Sequence, residues 1–287
     1  MFRTRKGFTL VELLVVLGII ALLLSILLPG MNRIREITQR TKCQTNLRGI
    51  MQSVRTYAES DTNRSGPKAD DNNADDRAAV VYFVVGDHAA GNTTMPAGAA
   101  ESHTASLWLL VRENYVQPAQ FICPSSDDVV DDLSDTAGNA VALENTWDFS
   151  SESNLSYSSI NMFSTTVGGY WNANSTAPGN YILMADRAVD ENRTAAQLQT
   201  PVDRDAFDAL SADNQDLANS VNHEGQAFVR PDTSTGFESQ PNFGPSENNI
   251  YALGAGATAN APTSNDSDPA AADVDEDVMM VPVRDNS

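Results

Sequence analysis

The strongest pattern in the chain is an apolar run near its start. Residues 8–28 are apolar, apart from one glycine, except at Thr9, Glu12 and Ser25. As an α-helix this run is about 31 Å long, which matches the hydrocarbon core of a bilayer. The pattern therefore predicts a transmembrane helix over residues 8–28.

A second helical pattern follows this run. Apolar residues recur at steps of four, three, four and three, which is typical of a helix with one packing face: Cys43, Leu47, Ile50, Val54 and Tyr57. We expect Pro29, helped by Gly30, to cause a kink or local unwinding, because proline removes a backbone hydrogen bond. A polar breaker cluster at 61–67 ends the pattern. The sequence therefore predicts an amphipathic stalk helix over 29–60 and a kinked helix of about fifty residues, roughly 75 Å long in total.

The segment 61–253 contains shorter patterns of both kinds. β-branched and aromatic residues predict strands at 80–85, 155–163 and 181–185. Residues 106–112, beginning at Ser106, have the pattern of a short capped helix, and Pro124 indicates a turn or strand end. These elements predict an α+β body with an antiparallel β-sheet.

Two acidic stretches lack the pattern of a folded element. Residues 254–287 contain no aromatic side chain and are rich in Ala, Asp, Asn, Thr and Pro, which predicts a disordered acidic tail. Residues 68–76 combine acidic and amide side chains without the glycine and spacing of an EF-hand loop. We interpret this second stretch as a solvated loop in preference to a calcium site.

The seven residues before the apolar run contain Arg3, Arg5 and Lys6, which resemble the basic region of a secretory signal. The run itself does not fit such a signal, because it exceeds the usual 7 to 15 residues and ends in Leu28-Pro29-Gly30. We therefore do not expect cleavage after the run.

Glu12 is the one charged residue within this run, and two interpretations explain it. It lies near the start of the helix, where it can reach the interface and interact favourably with the helix dipole. Alternatively, cutting after Gly7 leaves Phe8 as a new N-terminus, and its positive amine can pair with a glutamate. A buried charge needs a partner or water, because its transfer into lipid costs roughly 2.5 to 3.5 kcal/mol.

The basic leader, Gly7 and the sequence Phe8-Thr9-Leu10-Val11-Glu12 resemble the start of type IV pilins and type II secretion pseudopilins. The resemblance implies cleavage between Gly7 and Phe8 by a prepilin peptidase, which also methylates the amine of Phe8. It further implies that Glu12 neutralises the terminal amine of a neighbouring subunit. Residues 1–7 are then a leader, and Glu12 becomes an assembly determinant.

The resemblance also implies where the chain resides. Charge alone is ambiguous, because five basic residues between 33 and 48 compete with the leader under the positive-inside rule. A peptidase at the cytoplasmic face implies a single-pass inner-membrane protein with a periplasmic body. Its implied partners are the peptidase, the membrane, other pilin-like subunits, and secretion or pilus machinery.

Composition and motifs exclude several other classes. The chain of 287 residues has a formal net charge of −20, so we expect no nucleic-acid binding. The three histidines, His88, His103 and His223, form no zinc motif, and we expect neither a metal nor a cofactor. Hydrolase elbows and phosphate-binding loops are also missing, and we interpret Asn222-His223 as a loop-closing pair. We expect no enzyme.

Two function hypotheses follow. The leading one is a structural subunit, a pseudopilin or minor pilin, that assembles through its N-terminal helix. The alternative is a membrane-tethered binding module for glycans or calcium that uses a pilin-like anchor.

The two cysteines, Cys43 and Cys123, are too few for a disulfide-dense scaffold. Cys43 lies on the packing face of the stalk and Cys123 ends an apolar segment, so an oxidising compartment favours a disulfide between them. The alternative is two separate buried thiols, since a bridge needs α-carbons within about 7 Å.

A second resemblance, to a family of large bacterial pseudopilin-like proteins of unassigned function, covers most of the chain. Its turn after Gln226 differs here, because Pro231-Asp232-Thr233-Ser234 replaces Asp-Gly-His, and no role of that turn is carried over. The residues that carry this second resemblance are Arg40, Cys43, Asn46, Leu47, Phe121, Cys123, Pro124, Ser125, Asp186, Arg187, Asn219, Ser220, Asn222, His223, Gly225, Gln226, Asn249, Ile250 and Tyr251.

Overall fold

The architecture is that of a computed structural model, which describes part of the chain. The described residues are 10–61, 64–68, 102–135, 137–160, 171–173, 177–179, 181–187, 225–240, 243, 250 and 280–281. The chain divides into two units, Met1–Gln39 and Arg40–Ser287. The leader at 1–7, Phe8 and the predicted strand at 80–85 lie outside the described residues.

The first element, α1, is an α-helix over Leu10–Ser60. It continues through Pro29 and Gly30 without interruption, so the local unwinding expected there is wrong. Proline removes one intrahelical hydrogen bond, and the turns on both sides keep the remaining ones. A bend at Pro29 stays a prediction.

The transmembrane helix expected at 8–28 is not confirmed. Among the residues that the structure describes, no helix combines the length and the hydropathy needed to cross a membrane.

Within the second unit, the C-terminal part of α1 supplies one side of the hydrophobic core. Cys43, Leu47, Ile50 and Val54 are completely buried, which confirms the predicted packing face. Tyr57 is only partly buried and packs edge-on against Tyr115, with ring centroids 5.6 Å apart.

The second helix, α2, spans His103–Arg112. Its N-cap is Ser102, whose Oγ accepts a hydrogen bond from the amide of Ala105 at 3.2 Å. The predicted start at Ser106 is therefore wrong by one turn, because Ser102 is the residue that satisfies a first-turn amide. Ser106 lies inside the helix, where its hydroxyl donates to the carbonyl of Ser102 at 2.6 Å. Short 3₁₀ segments follow at Pro118–Phe121, Leu143–Asn145 and Glu152–Asn154.

The described strands are β1 Tyr157–Ile160, β2 Met184–Asp186, β3 Gln226–Val229, β4 Thr235–Glu238 and β5 Met280–Val281. They form one antiparallel sheet in the order β4-β3-β2-β1-β5, and the predicted helix-plus-antiparallel-sheet class is confirmed. The strand predicted at 155–163 contains β1, and residues 161–163 lie outside the described residues. The strand predicted at 181–185 overlaps β2.

The last strand, β5, lies in the segment that we predicted to be disordered. Met280 pairs with Ile160 and Val281 pairs with Ser159, so the prediction is wrong for these two residues. The prediction rested on the acidic composition of the whole tail and did not take account of four consecutive apolar residues at 278–281. Pro282 follows these residues, and proline at the end of a short strand is typical of a sheet edge.

Candidate assembly site and disulfide node

The N-terminal part of α1 has an apolar surface on all its sides. Every large apolar residue from Leu13 to Leu17 is exposed, and five consecutive helical positions point in all directions around the axis. Leu10, at the start of the helix, is 86% exposed. Contiguous exposed apolar surface of this kind marks a site of contact with membrane or protein.

Glu12 lies in the first turn of α1 and is exposed. The N-terminus of a helix carries a partial positive charge, which stabilises a carboxylate at this position. A carboxylate there can also accept charge-assisted hydrogen bonds from an amine. Gly7 and Phe8 lie outside the described residues, so both interpretations of Glu12 stay open.

A disulfide joins Cys43 of α1 to Cys123, which follows the 3₁₀ segment Pro118–Phe121. The two α-carbons are 5.4 Å apart and both side chains are completely buried. The predicted disulfide is confirmed, and the alternative of two separate thiols is wrong.

Hydrogen bonds reinforce this connection between α1 and the body. Asn46, one turn after Cys43, donates from Nδ2 to the carbonyl of Ile122 at 2.9 Å and to the hydroxyl of Tyr157 at 3.3 Å. The amide of Cys123 donates to Oγ of Ser156 at 2.9 Å. The helix, the segment around Cys123 and strand β1 are therefore joined at one place, which we call the disulfide node.

Asp186, at the end of β2, completes the disulfide node from the sheet side. Its carboxylate is buried, accepts the amide of Ala227 at 2.7 Å, and lies within 4.8 Å of both cysteine sulfurs. Among the described residues this trio is the one group of potential metal ligands. In the observed state the sulfurs are bonded to each other, so they offer no thiolates to a metal.

The next residue, Arg187, makes a partly buried ion pair. Its Nη2 lies 3.0 Å from the carboxylate of Asp128, which also accepts the hydroxyl of Ser156. The role of Asp128 was not predicted from the sequence, because nothing in a run of neighbouring aspartates marks the one that faces inward.

The electrostatics of the disulfide node keep Tyr157 neutral. Burial first, and then the negative charge of Asp186, raise the pKa of Tyr157 well above its ordinary value. A neutral phenol is the form that can accept the hydrogen bond of Asn46 without burying another charge. The node therefore has the character of a structural junction.

The node also gathers residues from the second resemblance. Cys43, Asn46, Cys123 and Asp186 come from three distant places in the sequence and meet there. His103 is buried in α2. His88, Asn219, Ser220, Asn222, His223 and Asn249 lie outside the described residues.

The altered turn at 231–234 connects β3 to β4 and contacts α1. Arg55 donates to the carbonyl of Pro231 at 2.9 Å, and Arg48 donates to that of Thr233 at 3.2 Å. Thr233 has a φ of 66°, and Oδ1 of Asp232 accepts the amide of Ser234 at 2.8 Å. These arginine contacts were not predicted from the sequence, although the seven-residue spacing of Arg48 and Arg55 puts both on one side of the helix.

One comparison with known proteins matches. The prokaryotic N-terminal methylation motif matches residues 2–28, which contain Gly7, Phe8 and Glu12. This match is consistent with the type IV pilin and pseudopilin superfamily and supports a pilin-like, membrane-anchored substrate of prepilin peptidase. No curated protein and no solved structure matches the chain.

Proposed function

We propose that this protein, which carries the prepilin-type methylation motif, is a pseudopilin of a type II secretion system or a minor type IV pilin. Prepilin peptidase cuts between Gly7 and Phe8 and methylates the new terminus. The apolar N-terminal segment then anchors the chain in the inner membrane, and the body faces the periplasm. The role is structural and not enzymatic.

The motif at residues 2–28 is the observation that carries this proposal. The exposed apolar surface of α1 supports it, because a helix with no polar side suits contact with lipid before assembly and with other helices after it. The disulfide node supports it too, because it joins the stalk part of α1 covalently to the body. A subunit on which force acts through its N-terminal helix needs a covalent connection between that helix and the body.

Mass spectrometry of the mature protein tests the processing step. In a host with prepilin peptidase we expect a chain that begins at a methylated Phe8, and Gly7→Leu should abolish the cleavage. An intact Met1 terminus, or a cut after Leu28, contradicts the proposal.

Fractionation of sheared filaments tests assembly. We expect wild-type chain in the filament fraction, and Glu12→Leu should lower that amount at least tenfold while processing continues, because the carboxylate that pairs with a neighbour's amine is lost. Glu59→Leu is the matched control, since Glu59 is an exposed acid of the same helix whose ion pair with Arg64 lies at the surface.

Two outcomes contradict the assembly proposal. Equal incorporation of the Glu12→Leu and Glu59→Leu chains shows that the charge has no pairing role. A processed wild-type chain that stays monomeric and binds a glycan or calcium favours the tethered binding module.

A further inference from the structure

Four exposed apolar side chains lie outside the segment 10–24. The structure does not describe the side chains of residues 26–32; among those that it does describe, the large hydrophobic side chains exposed to solvent outside 10–24 are Ile34, Ile37, Val129 and Val130. They form two pairs. Ile34 and Ile37 are three residues apart in α1 and share a helix face, and Val129 and Val130 are consecutive in a loop of the body.

Residues 127–135 form the loop that carries Val129 and Val130, which we call the valine loop. Hydrogen bonds fix its backbone in a conformation that leaves both valine side chains exposed to solvent. The amide of Val129 donates to the carbonyl of Ser153 at 2.8 Å, and Nδ2 of Asn154 donates to the carbonyl of Val129 at 2.9 Å. Asp131 is buried and accepts the amides of Leu133 and Ser150. The backbone is thus fixed from both sides, and Val129 remains 60% exposed. The backbone thus holds both valine side chains in solvent, where a partner can reach them.

The two pairs have opposite electrostatic surroundings. Residues 33–48 contain five basic and one acidic side chain, and Ile34 lies between Arg33 and Arg35. Residues 127–135 contain five aspartates, of which Asp128 pairs with Arg187 and Asp131 is buried. The acidic charge of the loop surface therefore comes from the other three, Asp127, Asp132 and Asp135. In a chain with a net charge of −20, the basic stretch is the natural partner for an acidic surface on another copy.

We infer that the valine loop of one copy docks on the surface formed by residues 33–37 of a second copy. The inference deepens the proposed function and rests on it. Because the two surfaces are different parts of one chain, the contact is heterologous, and it extends into an open polymer when the rotation between successive copies does not close a ring. The apolar helices supply most of the contact area, and this charged contact sets the register between copies.

Photocrosslinking in the full-length chain tests the inference. Benzoylphenylalanine replaces Ile34, and copies with heavy and light isotopes are expressed together so that crosslinks between copies are recognised by mass. We expect the crosslinks between copies to map to residues 127–135. Asp127→Lys should lower their yield about tenfold, because a repulsive contact replaces an attractive one.

Matched variants separate the specific contact from net charge. Glu144→Lys makes the same charge change at another exposed position of the body and should leave the yield unchanged. Arg33→Glu should act like Asp127→Lys, and the two together should restore the crosslink. Val129→Ser removes only the apolar part and should also lower the yield. Non-reducing peptide mapping of the Cys43–Cys123 disulfide confirms that each variant is folded.

The outcomes distinguish this inference from the proposed function. Filaments whose Ile34 crosslinks map outside 127–135, or an equal effect of Asp127→Lys and Glu144→Lys, overturn the docking contact and leave the pilin-like role intact. A wild-type chain that forms neither filaments nor crosslinks overturns both.

Discussion

Removing the Cys43–Cys123 disulfide should cost the body a large share of its stability. The bridge joins residues 80 positions apart. In the chain-entropy treatment, a crosslink closing a loop of about eighty residues destabilises the unfolded chain by about 4.5 kcal/mol. A domain of ordinary stability has about 5 to 15 kcal/mol in total. We therefore expect Cys43→Ala/Cys123→Ala to lower the free energy of unfolding by roughly 3 to 5 kcal/mol.

Urea unfolding of the full chain in detergent measures this loss. Trp108 and Trp171 are completely buried, so their fluorescence reports opening of the core. Wild type reduced by a phosphine is the control, because it lacks the bridge but keeps both side chains, and it should unfold close to the double variant. A difference below about 1 kcal/mol between oxidised and reduced wild type would refute the entropy argument, since it would mean that the unfolded chain is already constrained.

Three further predictions concern the second unit and α1. Thr233→Asn should raise the free energy of unfolding by about 1 kcal/mol, measured as a higher Tm, because a β-branched residue at a φ of 66° is strained and asparagine tolerates that region; an unchanged or lower Tm contradicts this. Leu47→Ala should lower the free energy of unfolding in urea by about 2 to 5 kcal/mol, since Leu47 is completely buried. Ile34→Ala, at a position that is 63% exposed, should lower it by less than about 0.5 kcal/mol. Similar losses for the two variants would contradict the burial assignment. The pKa of Tyr157 is raised in the folded chain, so its contribution to stability is present below the unfolded pKa of about 10 and is lost as the pH rises further. Stability measured between pH 8 and 11 should therefore fall less steeply in Tyr157→Phe than in wild type, and parallel profiles would contradict that sign.

Local patterns predicted the local features of this protein. The packing face from Cys43 to Val54 follows from helical periodicity, and residues of the cleavage motif are contiguous in the chain. The existence of α2 follows from its apolar spacing, although its first residue does not. A capping serine four residues upstream was equally available to the backbone, and only the packed structure shows which of the two caps the helix.

Local sequence patterns did not predict the features that join residues distant in the chain. The bridge from Cys43 to Cys123 was one of two alternatives until the α-carbons were placed 5.4 Å apart. The pairing of β5 with β1 was hidden by the acidic composition around Met280, because a strand gains its stability from a partner edge that the sequence does not identify.

The exposure of Val129 and Val130 also depends on contacts between segments that are distant in the sequence. Valines within an acidic stretch fit a buried turn or an exposed loop equally well. The amide of Val129 donates to the carbonyl of Ser153 and its carbonyl accepts from Asn154, and in this arrangement both valine side chains are exposed. Helical periodicity and processing motifs act over a few residues, so they can be read directly from the chain. The disulfide node and the outward-facing loop depend on contacts between segments far apart in sequence, and only the folded chain brings these segments together.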